Sequence, residues 1–340
     1  DKISKITREW LVPINSDIFS QYKSPYISGT SVGKATLIFD AFIARFYKLQ
    51  DFGVVVISTE YITDSVAYNY LSNIVVGFKL LANKGIKKIV LDLSNNQGGD
   101  IFVGHYINKL LFPDIQNFPL DQKVNNISTP FIEEISKIKK KAGREFHYKT
   151  YISAKINSQF DNVSDFIGNN IYTRGNAQVK YTSKAYFNDS ELYSAKVPTR
   201  PRLPWTERDI IILTDGICQS TCAIITQRLA EINVPTISVG GFPNKRFSFA
   251  AYAVGVAYST SDFITFLEQL KNLDSSLISK LTLSPDLTLK FSLAEAYSIK
   301  NPNEIMDFSY RPADYQLYYD ERSARDPSQL WIQAAKYIGK

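Results

Sequence analysis

The segment from Ile210 to Ile232 constrains this chain most. Ile210, Ile211, Ile212 and Leu213 form a short apolar run of the kind buried in a parallel sheet. Asp215-Gly216 breaks it, and Cys222, Ile225, Leu229 and Ile232 then recur at helical spacing. A buried strand that passes through a tight turn into an amphipathic helix needs an α/β layer to cover both. Ser220, in Cys218-Gln219-Ser220-Thr221-Cys222, falls at the start of that helix, where free N–H groups and the positive end of the macrodipole collect. A serine there is either an ordinary N-cap or a nucleophile beside donors that stabilise an oxyanion.

A second segment repeats the logic. Ile89-Val90-Leu91-Asp92-Leu93 reads as a buried strand, runs into Ser94-Asn95-Asn96-Gln97-Gly98-Gly99-Asp100, and gives way to helical spacing at Ile101, Val103, Ile107, Leu110 and Leu111 before Pro113. Paired glycines let backbone approach a substrate, with the Gly98 N–H as one candidate donor; the plainer alternative is a tight turn with Asp100 as N-cap. Upstream, Val54 to Ile57 predicts a strand, and a helix from a Thr63 or Asp64 cap to Gly85 leads into Ile89. These make a β-α-β unit, whose expected crossover is parallel and right-handed; the stretch 210–239 makes another.

Taken together, Asp92-Leu93-Ser94-Asn95-Asn96-Gln97-Gly98-Gly99 and Cys218-Gln219-Ser220-Thr221-Cys222 resemble the two motifs of the tail-specific, or C-terminal processing, serine peptidases. That family pattern is Asp-Leu-Arg-x-Asn-x-Gly-Gly followed by Ser-x-Ser-x-Ser, with the middle serine as nucleophile. Phe308 to Tyr319 is similar to the fungal secreted branch, related to the chlamydial protease-like activity factor. The resemblance covers roughly residues 35 to 335 and departs at Ser94, where the family carries arginine. It implies an α/β fold with a Clp protease/crotonase-like core of β-β-α units and an inserted region. The expected division is an N-terminal remnant or linker packing on the core at 1–50, half of the core at 51–113, an insertion at 114–205, and the second half with the nucleophile at 206–340. It also implies an acyl-enzyme at Ser220 and an oxyanion hole from the Gly98 and Thr221 N–H groups.

Composition sets the remaining bounds. A chain of 340 residues with 44% hydrophobic content can bury a full core. The net charge of +6 is dispersed apart from Lys137, Lys139, Lys140, Lys141 and Arg144, and no nucleic-acid module accompanies it, so no nucleic-acid partner is expected. No apolar run is long enough to span a membrane and no signal peptide is present. The chain starts at Asp1 and its single methionine is Met306, which predicts a processed product or an excised segment. Glycosylation acceptor patterns at Asn126, Asn162 and Asn188, with the fungal resemblance, predict a secreted glycoprotein. Cys218 and Cys222 flank Ser220 and either bridge in an oxidising compartment or pack as buried thiols. With two histidines and two cysteines, no metal and no cofactor are expected.

The general base is the open question in the sequence. His105 lies within the predicted helix after Gly99 and His147 within the insertion, and both read as structural. The histidine-using branch of the family takes its base from an N-terminal segment, which predicts a companion segment or chain outside this sequence. The alternative is a Ser/Lys dyad with Lys245, which follows the Gly240-Gly241 turn. Asp307, before the Phe308-Ser309-Tyr310-Arg311-Pro312 run, is the candidate to orient an imidazole, with Glu295 and Glu304 behind it. The expected function is a serine endopeptidase acting on polypeptides. The competing readings are a non-catalytic binding or structural glycoprotein of the same fold, and a crotonase-like hydratase or thioesterase.

Overall fold

The computed structural model describes residues 31–62, 67–126, 128–137, 144–188, 197–251, 257–260 and 289–340. The expected Thr63 or Asp64 cap and the basic residues Lys139, Lys140 and Lys141 lie outside them. The chain runs through β1 (Ser31–Val32), β2 (Ala35–Asp40), β3 (Ala44–Leu49), β4 (Phe52–Ile57), α1 (Ala67–Asn83), β5 (Ile89–Asp92) and α2 (Ile101–Leu111). It continues with β6 (Leu120–Gln122), α3 (Ser128–Ile135), β7 (Tyr151–Ser153), α4 (Val163–Ile167), β8 (Asn170–Arg174), β9 (Ala177–Tyr181) and β10 (Ala185–Phe187). Then come β11 (Ile210–Thr214), α5 (Thr221–Glu231), β12 (Thr236–Val239), β13 (Ala257–Ser259), β14 (Lys290–Ser292) and β15 (Ala294–Ala296). The last elements are β16 (Tyr315–Leu317), α6 (Glu321–Arg325) and α7 (Ser328–Ala335).

Two compact units share these elements: residues 1–115, 195–252 and 310–340 form the first, and 116–194 with 253–309 the second. Residues 253–309, read from the sequence as core, therefore belong to the second unit. Residues 31–49, within the segment expected to pack on the core, supply three strands of the first unit's sheet.

That sheet has eight strands in the order β1-β2-β3-β4-β5-β11-β12-β16. From β4 to β16 neighbours run parallel, whereas β1 to β4 pair antiparallel. The central strands β4, β5, β11 and β12 are buried along their whole length, which explains why they read as unbroken apolar runs rather than alternating ones. Both β-α-β units are present, β4-α1-β5 and β11-α5-β12. One core gathers Tyr47, Val54, Val90, Ile211, Ile237 and Trp331. Trp331 is fully buried against Tyr47, with ring centroids 5.4 Å apart, and an indole of that size contributes on the order of 4 to 6 kcal/mol of gross burial.

The second unit holds a four-stranded antiparallel sheet, β15-β6-β10-β7, the β8–β9 hairpin and the antiparallel pair β13–β14. Arg174 on β8 bonds Glu295 on β15 at 2.5 Å, and Tyr181 donates to the same carboxylate at 2.6 Å.

Candidate active site

The parallel register of β5 and β11, Leu91 beside Ile212 and Asp92 beside Leu213, delivers the two sequence motifs to the same end of the sheet. Ligands in open parallel sheets bind beyond the carboxyl ends of strands, which is where both turns lie. Asp215 Oδ2 accepts the Asn95 N–H at 2.8 Å and Thr221 Oγ1 donates to the Gly99 carbonyl at 2.7 Å, so each turn is pinned to the other. Burial raises the Asp215 carboxyl, with the bonds from Ile217 and Asn95 opposing it.

Ser220 is the N-cap of α5 with φ 53° and ψ −124°, and its side chain caps nothing. A serine in that backbone region costs about 1 to 3 kcal/mol and persists only where its surroundings fix it. Here the fixing is visible. A disulfide joins Cys218 to Cys222 across the serine, the Ala251 N–H bonds the Cys218 carbonyl at 2.6 Å, and the Ile224 N–H bonds the Ser220 carbonyl at 3.0 Å. Freed from capping, the hydroxyl is left half-buried at the helix end.

Gly98 sits directly against this serine. Its φ is +94°, and a Cβ placed there would lie 2.8 Å from Ser220 Cβ and 2.7 Å from the Gln219 carbonyl. Gly99 is equally constrained, since a Cβ on it would fall 2.1 Å from the Tyr61 nitrogen. The structure corrects the expected use of Gly98, whose N–H is taken by Asn96 Oδ1 at 2.7 Å and is unavailable to an oxyanion. Its neighbour is better placed. Gly99 pairs with Glu60 as an isolated parallel bridge through the Glu60 N–H to Gly98 carbonyl and Asp100 N–H to Glu60 carbonyl bonds. Gly99's own N–H and carbonyl therefore leave by the opposite edge, toward Thr221. Among the described residues no acceptor meets the N–H groups of Gly99 or Thr221.

Asn96 and Glu60 complete the turn. Asn96 Nδ2 donates to Glu60 Oε1 at 2.7 Å and to the Ile57 carbonyl at 3.0 Å, and both side chains are fully buried. Burial pushes the Glu60 carboxyl up to about 8, against the Asn96 bond that would lower it. Sequence reasoning missed Glu60; the one available signal was an acidic residue shortly after a strand buried throughout, beyond Ser58 and Thr59.

The other expected site residues have settings of their own. Lys245 is exposed on the turn after Gly241, without the burial that a lysine base requires. Asp307 lies in the second unit, where Oδ2 accepts the Ala296 N–H at 2.9 Å. Burial would raise Glu295, but bonds from Arg174 and Tyr181 outweigh it and hold the carboxyl low. His105 is buried within α2, and His147 Nδ1 accepts the Lys149 N–H at 3.1 Å. Of the expected glycosylation positions, Asn126 and Asn162 are exposed, whereas Asn188 is only 6% exposed and is shielded from a glycan. No cluster of metal-ligating side chains occurs among the described residues, and no described helix is long and apolar enough to cross a membrane.

A cavity of about 290 Å³ opens beside the paired turns, lined in part by Asp92, Ser94, Asn95, Asp215 and Tyr319. Ser94 stands where the resembling peptidases carry arginine.

No family model matches the chain. It is 27% identical to the peptidase S41 family protein phomP1 of Diaporthe leptostromiformis, over 91% of this chain and 56% of that protein. It is 22% identical to the peptidase S41 family protein ustP of Aspergillus flavus, over 78% and 64% respectively. The chain thus spans less than two thirds of either relative. Among solved structures, mature CPAF complexed with lactacystin superposes with a TM-score of 0.51 at 11% identity, covering 99% of this chain and 62% of that one. That likeness concerns the fold, the Clp protease/crotonase-like α/β arrangement. In sequence the chain is thus similar to fungal proteins of the peptidase S41 family, and in fold to a solved relative of the same α/β arrangement.

Proposed function

We propose that the protein is a serine peptidase that cleaves polypeptides through an acyl-enzyme at Ser220. The observation that carries this reading is the backbone of Ser220, held at positive φ on a helix N-terminus with Gly98 packed against its Cβ. The hydroxyl attacks the peptide carbonyl, and the N–H groups of Gly99 and Thr221 receive the negative charge that develops on oxygen. Such donors aimed at developing charge are worth about 3 kcal/mol each. The proton goes to an imidazole from a segment or companion chain outside this sequence, because His105 and His147 are both committed to structural settings. The exposure of Lys245 speaks against the dyad alternative.

The Cys218–Cys222 disulfide and the acceptor patterns at Asn126 and Asn162 support a secreted glycoprotein. A fluorophosphonate probe tests the assignment. It should label Ser220 in the active assembly, and Ser220→Ala should abolish labelling and peptide cleavage together. Cleavage surviving in that variant would refute the proposal, and a protein that never reacts would be the binding glycoprotein of the same fold.

A further inference from the structure

Glu60 is a buried acid that the chemistry above does not use. It is fully inaccessible, Oε1 accepts the Asn96 amide at 2.7 Å, and Oε2 meets no partner among the described residues. The same Asn96 side chain spends its oxygen on the Gly98 N–H at 2.7 Å, so one amide connects Glu60 to the glycine that touches Ser220. Around them the backbone of Glu60 bridges Gly98 and Asp100, and Thr59 Oγ1 donates to the Gly98 carbonyl at 2.9 Å.

We propose that Glu60, in its uncharged form, is the positioning residue that fixes Asn96 and thereby aims the Gly98-Gly99 turn at Ser220, and that ionising it disarms the site. The proposal rests on the catalytic reading of Ser220. A neutral carboxyl keeps an acceptor for Asn96 without placing a charge in a site that has nothing to balance it. The groups around it agree. Ile57, Thr59 and exposed Tyr61 come from the β4 side, Asn96 and Gly98 from the turn, and the Asp100 carboxylate is turned to the Phe102 N–H. No cation faces the acid among the described residues. Burial raises its proton affinity to a midpoint of about 8, opposed by Asn96 and by its own backbone N–H. As pH rises through that value the proton is lost, a carboxylate is left buried with no cation beside it among the described residues, and the turn must shift.

The test is the rate of fluorophosphonate labelling at Ser220 across pH 6 to 10 in wild type, Glu60→Gln and Glu60→Ala. Wild type should show an upper limb near pH 8, falling about tenfold per further pH unit. Glu60→Gln retains the acceptor without the ionisation, so it should keep the neutral-pH rate and lose the limb. Glu60→Ala should label about 10- to 100-fold more slowly at every pH, as loss of alignment does. An upper limb unchanged in Glu60→Gln overturns the proposal while Ser220 stands. A wild type unlabelled at Ser220 overturns the catalytic reading and this one with it. Thermal unfolding provides an arm independent of catalysis: between about pH 5 and 8 wild type should lose stability relative to Glu60→Gln, and parallel curves would contradict a buried proton at Glu60.

Discussion

Trp331 Nε1 donates to Asp92 Oδ2 at 2.6 Å, tying α7 to the residue that ends β5 and opens the first motif. Asp92 is buried, its carboxyl is raised chiefly by desolvation, and the indole and Ser94 N–H bonds oppose that shift. Trp331→Phe should keep most of the ring packing and remove the donor. The expected cost is about 1 to 3 kcal/mol in urea unfolding with an unchanged slope. A loss below a few tenths would show that Asp92 finds another donor.

The Ser94 cavity suggests a gain. Ser94→Arg places a guanidinium beside Asp92 and Asp215, two acids that burial already raises. Partial neutralisation there should stabilise by about 1 kcal/mol, read as a higher unfolding midpoint. A lower midpoint would mean that the cavity walls cannot admit the longer side chain.

Gly99→Ala should be far more damaging than an ordinary turn substitution. The added carbon falls on backbone at Glu60 and Tyr61, which cannot rotate away as a side chain would. Labelling of Ser220 should fall at least about 100-fold even where the variant remains folded by circular dichroism. Near-normal labelling would place the oxyanion donors elsewhere.

The disulfide closes a loop of sequence separation 4, too short to restrict the unfolded chain by more than about 2 kcal/mol. Cys218→Ser with Cys222→Ser should therefore lower stability modestly and reactivity more, since the bridge encloses the unfavourable Ser220 backbone. Equal proportional losses in both measurements would argue that the bridge acts on folding alone.

The Arg174–Glu295 pair gives a pH signature in the second unit. Glu295 titrates below its usual range in the folded state, so its contribution is present above pH 4.5 and disappears as pH falls through the depressed folded value. Arg174→Met should cost about 1.5 to 3 kcal/mol at pH 7 and progressively less below pH 4, as wild type loses the same pair. A penalty that stays constant into acid would identify packing of the Arg174 stem as the main contribution.

Much of the first unit was legible in sequence because its signals are local. Ile210 to Leu213 is apolar without alternation because β11 is covered on both faces, and the helix after Ser220 starts where Asp215-Gly216 predicts it. Glu60 was not legible, since a single acid after a strand declares its role only when Asn96, distant in sequence, folds onto it. The Gly98 donor was misassigned for a related reason: Asn96, two residues away, competes for the same N–H, and no spacing rule reveals which partner wins. Residues 289–309 escaped detection as part of the second unit because β14 and β15 acquire partners only through long-range pairing.

The side-by-side register of β5 and β11 makes the spacing between the two motifs a matter of geometry rather than of chain length. Leu91 and Ile212 meet because hydrogen bonds set their level, and no property of the intervening residues enters that alignment. The segment between Gly98 and Ser220 could therefore be enlarged, trimmed or replaced while the two turns keep their spacing to within the precision of a strand ladder.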